Sequence, residues 1–566
     1  MRRLGHPLSP ELRFALTLLL VGAALRFALL GSNPPGMFRD EAEKVYTAWS
    51  LGQTGGYHHL VHTTDPRTGV SLPVFERLGP PLFVDAYGSW TSAIYHWCDV
   101  PFALALGPTP LAARLPAALA GLLTLLALWR YARRAFDAEV ALLALFFLAI
   151  SPWHVLFSRW AQQGIFVPLW LALALLMFER GRLAAGRPWW LAGVCLALAL
   201  YTYEPMRVTV PLFVIALAWA HRGDLRRNRQ AALLALLAFV ATLLPVGLWM
   251  AAHRAEGLQR WTAVTIFSEE TSLGEEAAQF VANWLSHLSF PFLFLGGDAN
   301  SRHSIPGFGQ MHLIELPGLL IGLVIALTQR RPQDLTLALW FLLAPVAPSL
   351  TREAPHALRG IAALPAAHLI SAFGTAAIFR GAVRWAHESL PLRLRRLKRL
   401  HEWLRANIDG LRATGLVLGG ATALLLVLQL FLRAPALTAE VWETGLHDAL
   451  RQADALAAGR RPVFVSGRVL YLPTHLRVAR RTPPASLPEV TSFLPPGWNQ
   501  TGQGEYGPAA LWDQFGQAAV FITTPGEIPD REPVAVIRGP GNRFTAPPRV
   551  LWEIHAAPAP PEDGQR

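Results

Sequence analysis

Residues 14–43 read FALTLLLVGAALRFALLGSNPPGMFRDEAE. The apolar run from Phe14 to Leu30 is long enough for one membrane crossing, which takes about 20 residues of helix. Shortly behind it stand Asp40, Glu41 and Glu43. Carboxylates beside a membrane span are costly unless they serve a purpose. If the run crosses outward, Asp40 and Glu41 emerge on the non-cytoplasmic side, near the lipid headgroups. An enzyme whose substrate hangs from a membrane lipid would need its base there.

The rest of the chain supports a membrane setting. Of 566 residues, 52% are hydrophobic and only 16% charged, and the mean hydropathy is +0.32. These values exclude a disordered chain and point to a polytopic membrane protein. The formal net charge is +12, but the basic residues gather in short loops between apolar runs. That is a topology signal and not a nucleic-acid patch. Cys98 and Cys195 fall in separate apolar stretches, so no disulfide framework is implied. Arg2 and Arg3 followed by the first run read as a retained span without a cleavable signal peptide.

Candidate spans are 12–30, 110–130, 138–157, 164–179, 189–204, 207–221, 231–250, 311–329, 334–350, 357–379 and 412–432. Basic clusters follow every second span: Arg130, Arg133 and Arg134; Arg180, Arg182 and Arg187; Arg222, Arg226, Arg227 and Arg229; Arg330 and Arg331; then the stretch 380–412. If these loops are cytoplasmic, the N-terminus is cytoplasmic too. The apolar segment 89–107, with Trp90, Tyr95 and Trp97, must then lie at the membrane interface and not cross. The expected fold is a polytopic α-helical membrane protein of about eleven transmembrane helices. Its first outer loop (31–109) carries interfacial helices, and a small α/β extracytoplasmic domain closes the chain. The transmembrane domain is expected over 1–432 and the C-terminal domain over 433–566. That domain has a helix over 438–458, strands over 462–466, 518–523 and 533–537, and a flexible tail near 556–566.

The first outer loop carries Asp40, Glu41, Glu43, His58, His59, His62, Asp65, Glu76 and Asp85. Most loop charges are simply solvated. The histidine spacing matches no standard metal signature, and a β-hairpin with surface histidines is the preferred reading; a divalent metal stays open. Asp40 and Glu41 stand apart by their place at the membrane exit. The other outward turns are rich in cations and aromatics: Arg159; Tyr201, Tyr203 and Arg207; Arg302 and His303; Arg352, His356 and Arg359. A single arginine at a span end is explained by snorkelling. Four such sites on the side not favoured for positive charge point to anion capture, and guanidinium groups suit bidentate binding of phosphate. These residues are the candidate substrate-binding set.

Several stretches recur in a telling order: RDEA at 39–42, AARLPAAL at 112–119, SPWHVLFSR at 151–159, YTYEPMR at 201–207, GDANSRHSIPG at 297–307 and HALRGIAALP at 356–365. The chain thereby resembles the polytopic glycosyltransferases of the C-type fold. Within them it looks like the bacterial relatives of dolichyl-phosphate-mannose–protein mannosyltransferase and of the lipid A aminoarabinose transferase. The resemblance spans roughly residues 12–380. It implies transfer of a sugar from a polyprenyl-phosphate carrier to a protein, lipid or glycan acceptor, on the extracytoplasmic face of the plasma (inner) membrane. Membrane lipids surround the protein, and no nucleic acid is involved. Asp40 is the implied base, and Glu41 is implied to help bind donor or acceptor. Arg159, Tyr203, Arg207, Arg302, His303, His356 and Arg359 are the implied contacts to donor phosphate and sugar.

One stretch departs from the family. Relatives often carry Asp-Tyr-Lys-Pro-Pro-Leu-Tyr before the interfacial helix, where this chain has Asp85-Ala86-Tyr87-Gly88-Ser89-Trp90-Thr91. The segment lies near the acceptor side in the family, so a different acceptor or reduced activity is implied, and Asp85 joins the candidate set. Two rival classes remain. A non-catalytic lipid-binding homologue is favoured by the altered 86–91 stretch and disfavoured by the retained Asp-Glu pair. A secondary transporter is disfavoured by acid-poor spans, by charges at one face and by the long first outer loop.

Overall fold

The computed structural model describes residues 9–557, apart from 65–70, 88, 185, 388–394, 489, 493–496, 502–506, 517 and 542–546. Asp65, the side chain of His62 and the tail from 558 lie outside the described residues. The chain divides into two compact units: Met1–Ala28 with Ala117–Leu430, and Leu29–Pro116 with Phe431–Arg566.

The first unit is helical. Across the described residues, five helices are long and apolar enough to cross a membrane: Pro110–Ala135, Gln163–Leu183, Arg229–Ala252, Ile361–His387 and Arg405–Leu437. Shorter apolar helices cover Ala138–Ile150, Trp189–Thr202, Met206–Ala220 and Leu313–Gln329. Several segments expected as single spans are broken, and proline accounts for the breaks. Helix Ala138–Ile150 stops before Pro152, which opens the short helix Pro152–Phe157. Helix Pro332–Leu343 ends just before Pro345, and Val346–Ser349 follows as a separate turn. A proline ring removes one backbone donor and clashes with the preceding turn. Arg229–Ala252 keeps its apolar surface outward, with only 6% of its span window buried. Such a surface suits hydrocarbon.

Small residues set the closest helix contact. Leu316–Gln329 and Leu364–His387 approach so tightly that a Cβ on Gly374 would overlap the Gly318 carbonyl, and one on Gly322 would overlap the Ile370 carbonyl. Gly318 and Gly322 are four apart on one helix face, the spacing that lets backbones meet where no hydrophobic effect drives helices together.

The second unit is mixed. Helix Arg39–Thr54 ends at Gly55, whose φ of 69° only glycine adopts easily. Strands Tyr57–Thr64 and Ser71–Leu78 then form the expected hairpin, with Tyr57 opposite Leu78. Val490–Ser492 adds a third strand through Val74–Glu76. A short hairpin pairs Phe83–Asp85 with Trp90–Ser92 and leads into helix Ile94–Leu106. That 13-residue helix is about 20 Å long at 1.5 Å per residue.

The C-terminal sheet has five strands in the order Trp498–Gln500, Val463–Val465, Val520–Thr523, Val550–Ala556, Ala535–Arg538. The first three are parallel and the last two pair antiparallel. Helices Leu446–Ala457 and Leu472–Arg480 belong to the same region, and Leu446, Leu450, Leu472 and Leu476 join Val463, Val520 and Ile554 in its core. The helix expected over 438–458 begins only at Leu446, because Gly445 has φ 76° and turns the chain there.

Gly374→Val inserts a branched side chain where the helices touch, and overpacking of this kind costs about 2 kcal/mol or more. The variant is expected to melt at lower temperature than wild type in mild detergent, whereas Gly381→Val, in open space, is expected to melt like wild type. Equal melting of the two variants would contradict the packing.

Candidate functional site

Helix Arg39–Thr54 places Asp40 and Glu41 in its first turn, where backbone N–H groups and the helix dipole favour negative charge. The two acids have different surroundings. Glu41 is 0% exposed. Its carboxylate accepts from Arg114 Nε at 2.9 Å and Arg114 Nη2 at 2.8 Å, and from the Phe38 N–H at 3.4 Å. The remaining Arg114 donors go to the carbonyls of Leu30 (3.0 Å), Pro34 (2.9 Å) and Gly36. All five guanidinium N–H groups are thus used, and the fully buried pair ties the loop after the first helix to the start of the next. Asp40 keeps 33% of its side chain exposed, with Arg39 Nε 4.0 Å away. It is the acid of the pair that a substrate can reach.

The same helix carries Glu43, buried, 3.1 Å from His96 Nε2 and accepting from the Thr47 hydroxyl at 3.0 Å. Burial alone would raise its pKa; His96, Lys44 and Thr47 outweigh burial and hold the carboxyl below the usual carboxylate range. Asp85 stands 3.5 Å from His59 Nδ1. The hydroxyl of Tyr87 donates to the Arg39 carbonyl at 3.0 Å, and its ring stacks on Tyr471 at 3.6 Å between centroids. Asp40, Glu41 and Asp85 therefore share one unit.

The cationic candidates belong to the other unit. There, three of the quoted stretches meet. The His303 and His356 rings lie 4.7 Å apart, and His303 also contacts Phe157 and Trp160. Trp153 donates to the Ala357 carbonyl at 3.1 Å. Asp298, which the sequence reading did not single out, joins them: His303 Nδ1 is 3.1 Å from Asp298 Oδ2, and the Ala357 N–H donates to that oxygen at 2.7 Å. Burial, then Arg359 and His303, push His356 down to about 2, and burial pushes His287 down to about 4. His287 accepts from the His356 N–H at 3.0 Å, so its other nitrogen donates to the Asn283 carbonyl at 2.8 Å. Imidazoles beside a carboxylate are a set that suits a divalent transition metal. Ligand atoms of Asp298, His303 and His356 all lie within 4.8 Å of one another. These three residues fit a metal ion; the His58–His62 run, within a hairpin strand, does not form such a group among the described residues.

Several other candidates are tied to groups within the protein. Arg159 is fully buried and donates to the Leu25 (2.7 Å) and Ala28 (2.8 Å) carbonyls at the end of the first helix. Arg207 donates to the Gly257 carbonyl at 3.0 Å, and the exposed Arg352 to the Thr265 carbonyl at 2.9 Å. Arg359 donates to Thr351 Oγ1 at 2.9 Å. Tyr203 is buried, while Tyr201 and Arg302 are half-buried. The sequence reading missed Arg114, and it missed Arg26, whose Nη2 lies 2.6 Å from His154 Nδ1 and donates to the Leu148 carbonyl at 3.1 Å. A usable signal existed for Arg26: an ionisable residue inside an apolar run is retained for a reason.

Apolar helices, an acid-bearing helix in the first loop and a small C-terminal sheet make a fold that solved membrane enzymes share. Residues 96–249 match the family described as dolichyl-phosphate-mannose-protein mannosyltransferase. The chain is similar to ArnT from Cupriavidus metallidurans in the apo state, at 14% identity and a TM-score of 0.54, covering 97% of this chain and 100% of that one. The same protein bound to undecaprenyl phosphate matches at 14% identity and a TM-score of 0.54, over 96% and 99%. The archaeal oligosaccharyltransferase AglB from Archaeoglobus fulgidus, in complex with an inhibitory peptide and a dolichol-phosphate, matches at 12% identity and a TM-score of 0.50, over 83% of this chain and 63% of that one. No curated protein matches the chain by sequence. At these identities the likeness to solved structures is one of fold, and at that level the resemblance drawn from the motifs holds.

Purified without chelator, the protein is expected to carry one divalent transition-metal ion per chain, and Asp298→Ala/His303→Ala to carry none, by elemental analysis. Equal metal content in the two would contradict the site.

Proposed function

We propose that this protein is a glycosyltransferase that moves a sugar from a polyprenyl-phosphate carrier to an acceptor on the extracytoplasmic face of the plasma membrane. The observation that carries the reading is the contrast within the Asp-Glu pair: Glu41 is locked on Arg114 while Asp40 stays accessible at a helix N-terminus. Undecaprenyl phosphate bound in a protein of the same fold supports the choice of donor. The topology that goes with it has a cytoplasmic N-terminus, eleven crossings and an extracytoplasmic C-terminal domain beginning near residue 433, with the transmembrane domain before it.

In this reading the Asp40 carboxylate takes the proton of the acceptor hydroxyl or amine as that group attacks the anomeric carbon. The bond from that carbon to the carrier phosphate breaks, the phosphate leaves with the electron pair, and a single displacement inverts the anomeric centre. Glu41 acts through position, fixing the turn that carries Asp40. Arg159, Arg207, Arg302, Arg352 and Arg359, with Tyr201 and Tyr203, form the set from which the contacts to leaving phosphate and sugar are drawn. Arg302 is the foremost of them, because its half-buried side chain sits in the same turn as Asp298 and His303. A divalent ion held by Asp298, His303 and His356 would supply further positive charge.

Asp40→Asn keeps the shape and removes the base. Transfer from an undecaprenyl-phosphate sugar by purified protein is expected to fall by about 10³-fold, with melting temperature and undecaprenyl phosphate binding unchanged. Turnover at the wild-type rate would remove Asp40 from the mechanism. A wild-type protein that binds the lipid and transfers no sugar from any donor would favour the non-catalytic lipid-binding reading.

A further inference from the structure

Helix Arg39–Thr54 turns one face into a narrow slot. Asp40, Glu43 and Thr47 follow at spacings of three and four, which stack side chains on one helix face. Glu43, Tyr46, Thr47 and Ser50 line one wall of the slot, and His58, Asp85, Tyr87, Thr474 and Arg477 line the rest. The last two come from helix Leu472–Arg480 in the C-terminal part of the chain. The slot offers about 30 Å³, room for roughly two water molecules. A hydroxyl or hydroxymethyl group enters such a space and a sugar ring does not. At the stacked pair beside it, Tyr87 and Tyr471 both have φ of 59°. Non-glycine residues adopt that left-handed backbone only when their surroundings impose it, and such outliers cluster at ligand clamps. The Arg39 guanidinium lies 5.7 Å from the Tyr471 ring, so the stack also borders the turn that holds Asp40.

The lining chooses among ligands by charge. An anion entering the slot meets the carboxylates of Glu43 and Asp85. A cation meets the guanidinium of Arg477. A neutral hydroxyl can donate to a carboxylate and accept from a guanidinium N–H, and meets no like charge.

We infer that this slot is the acceptor subsite and that the acceptor is a neutral, hydroxyl-rich glycan. One hydroxyl-bearing group is held between Glu43, Asp85 and Arg477, one helical turn from Asp40. The inference rests on the proposed role of Asp40 and names the acceptor class for that reaction. The C-terminal part of the chain thereby takes part in specificity, through Thr474 and Arg477 of helix Leu472–Arg480.

The test is saturation-transfer NMR on the full chain in lipid nanodiscs. The probes are neutral tetrasaccharides of glucose, mannose, galactose and N-acetylglucosamine, a deacetylated cationic tetramer, an oligogalacturonate and an uncharged hydroxyl-free peptide. At least one neutral tetrasaccharide is expected to bind, and Arg477→Leu and Thr474→Val are each expected to weaken it by about tenfold, the scale of one lost hydrogen bond to a charged group. Glu43→Gln, checked for wild-type melting because Glu43 also pairs with His96, is expected to do the same. Undecaprenyl phosphate binding should stay unchanged in all three. Binding of no neutral glycan, stronger binding of a charged probe or of the peptide, or indifference to both Arg477→Leu and Thr474→Val would overturn the inference. If such a result accompanies transfer that still depends on Asp40, only the acceptor class falls. If glycan binds as expected and Asp40→Asn transfers like wild type, the base assignment falls and the subsite stands.

Discussion

A guanidinium with every N–H engaged, gripping a carboxylate with no exposed surface, fixes the start of helix Arg39–Thr54. Removing one partner of such a buried pair leaves a lone charge in a dry place, which costs about 3–5 kcal/mol. The carbonyls of Leu30, Pro34 and Gly36 converge on the same arginine, so the pair also shapes the loop that leads into the helix. Asp40 precedes Glu41 by one residue and inherits that fixed position without sharing the burial. The neighbouring acids thus divide the work: one holds the backbone and the other faces outward.

The helical unit uses a different physics. Glycines bring Leu316–Gln329 against Leu364–His387, while Arg229–Ala252 leaves apolar surface for its surroundings. Its polar residues are drawn inward and tied to backbone. Arg26 and Arg159 are fully buried and hold carbonyls near helix ends. His368 Nδ1 lies 2.6 Å from Glu315 and its Nε2 lies 2.9 Å from the Ser151 hydroxyl. Arginines that the sequence suggested for anion capture therefore also carry structural loads. Asp298, His303 and His356 form the densest group of possible ligands in that unit among the described residues.

Much of this was legible beforehand, for identifiable reasons. The helix that carries Asp40 runs from Arg39, and an acid-rich first turn suits a helix start. The hairpin expected around the histidines appears as Tyr57–Thr64 paired with Ser71–Leu78. The strands expected over 462–466, 518–523 and 533–537 appear as Val463–Val465, Val520–Thr523 and Ala535–Arg538, since short β-branched runs carry their own signal. Trp498–Gln500 and Val550–Ala556 escaped notice: the first is short and polar, the second sits beside a Pro-rich stretch. Val490–Ser492 joins a hairpin more than 400 residues earlier, and no local pattern announces such a pairing. Apolar length also overstated helix continuity at Pro152 and Pro345. At the site, Asp40 stood out by position. Arg114 did not, because a single arginine in an apolar helix resembles a snorkelling one until its partner is known. Asp298 lay in a quoted stretch, yet only the fold brings His356 to it.

In the proposed reaction the place of one carboxylate, and not merely its charge, decides turnover. The direct measurement is the initial rate of sugar transfer by Asp40→Glu, with undecaprenyl phosphate affinity measured on the same preparation. The longer side chain keeps the charge and moves the oxygens by about 1 Å, a displacement that costs on the order of 10² in rate at a rigid site. A fall of that size with donor affinity unchanged is the predicted result. Wild-type turnover by Asp40→Glu would contradict it.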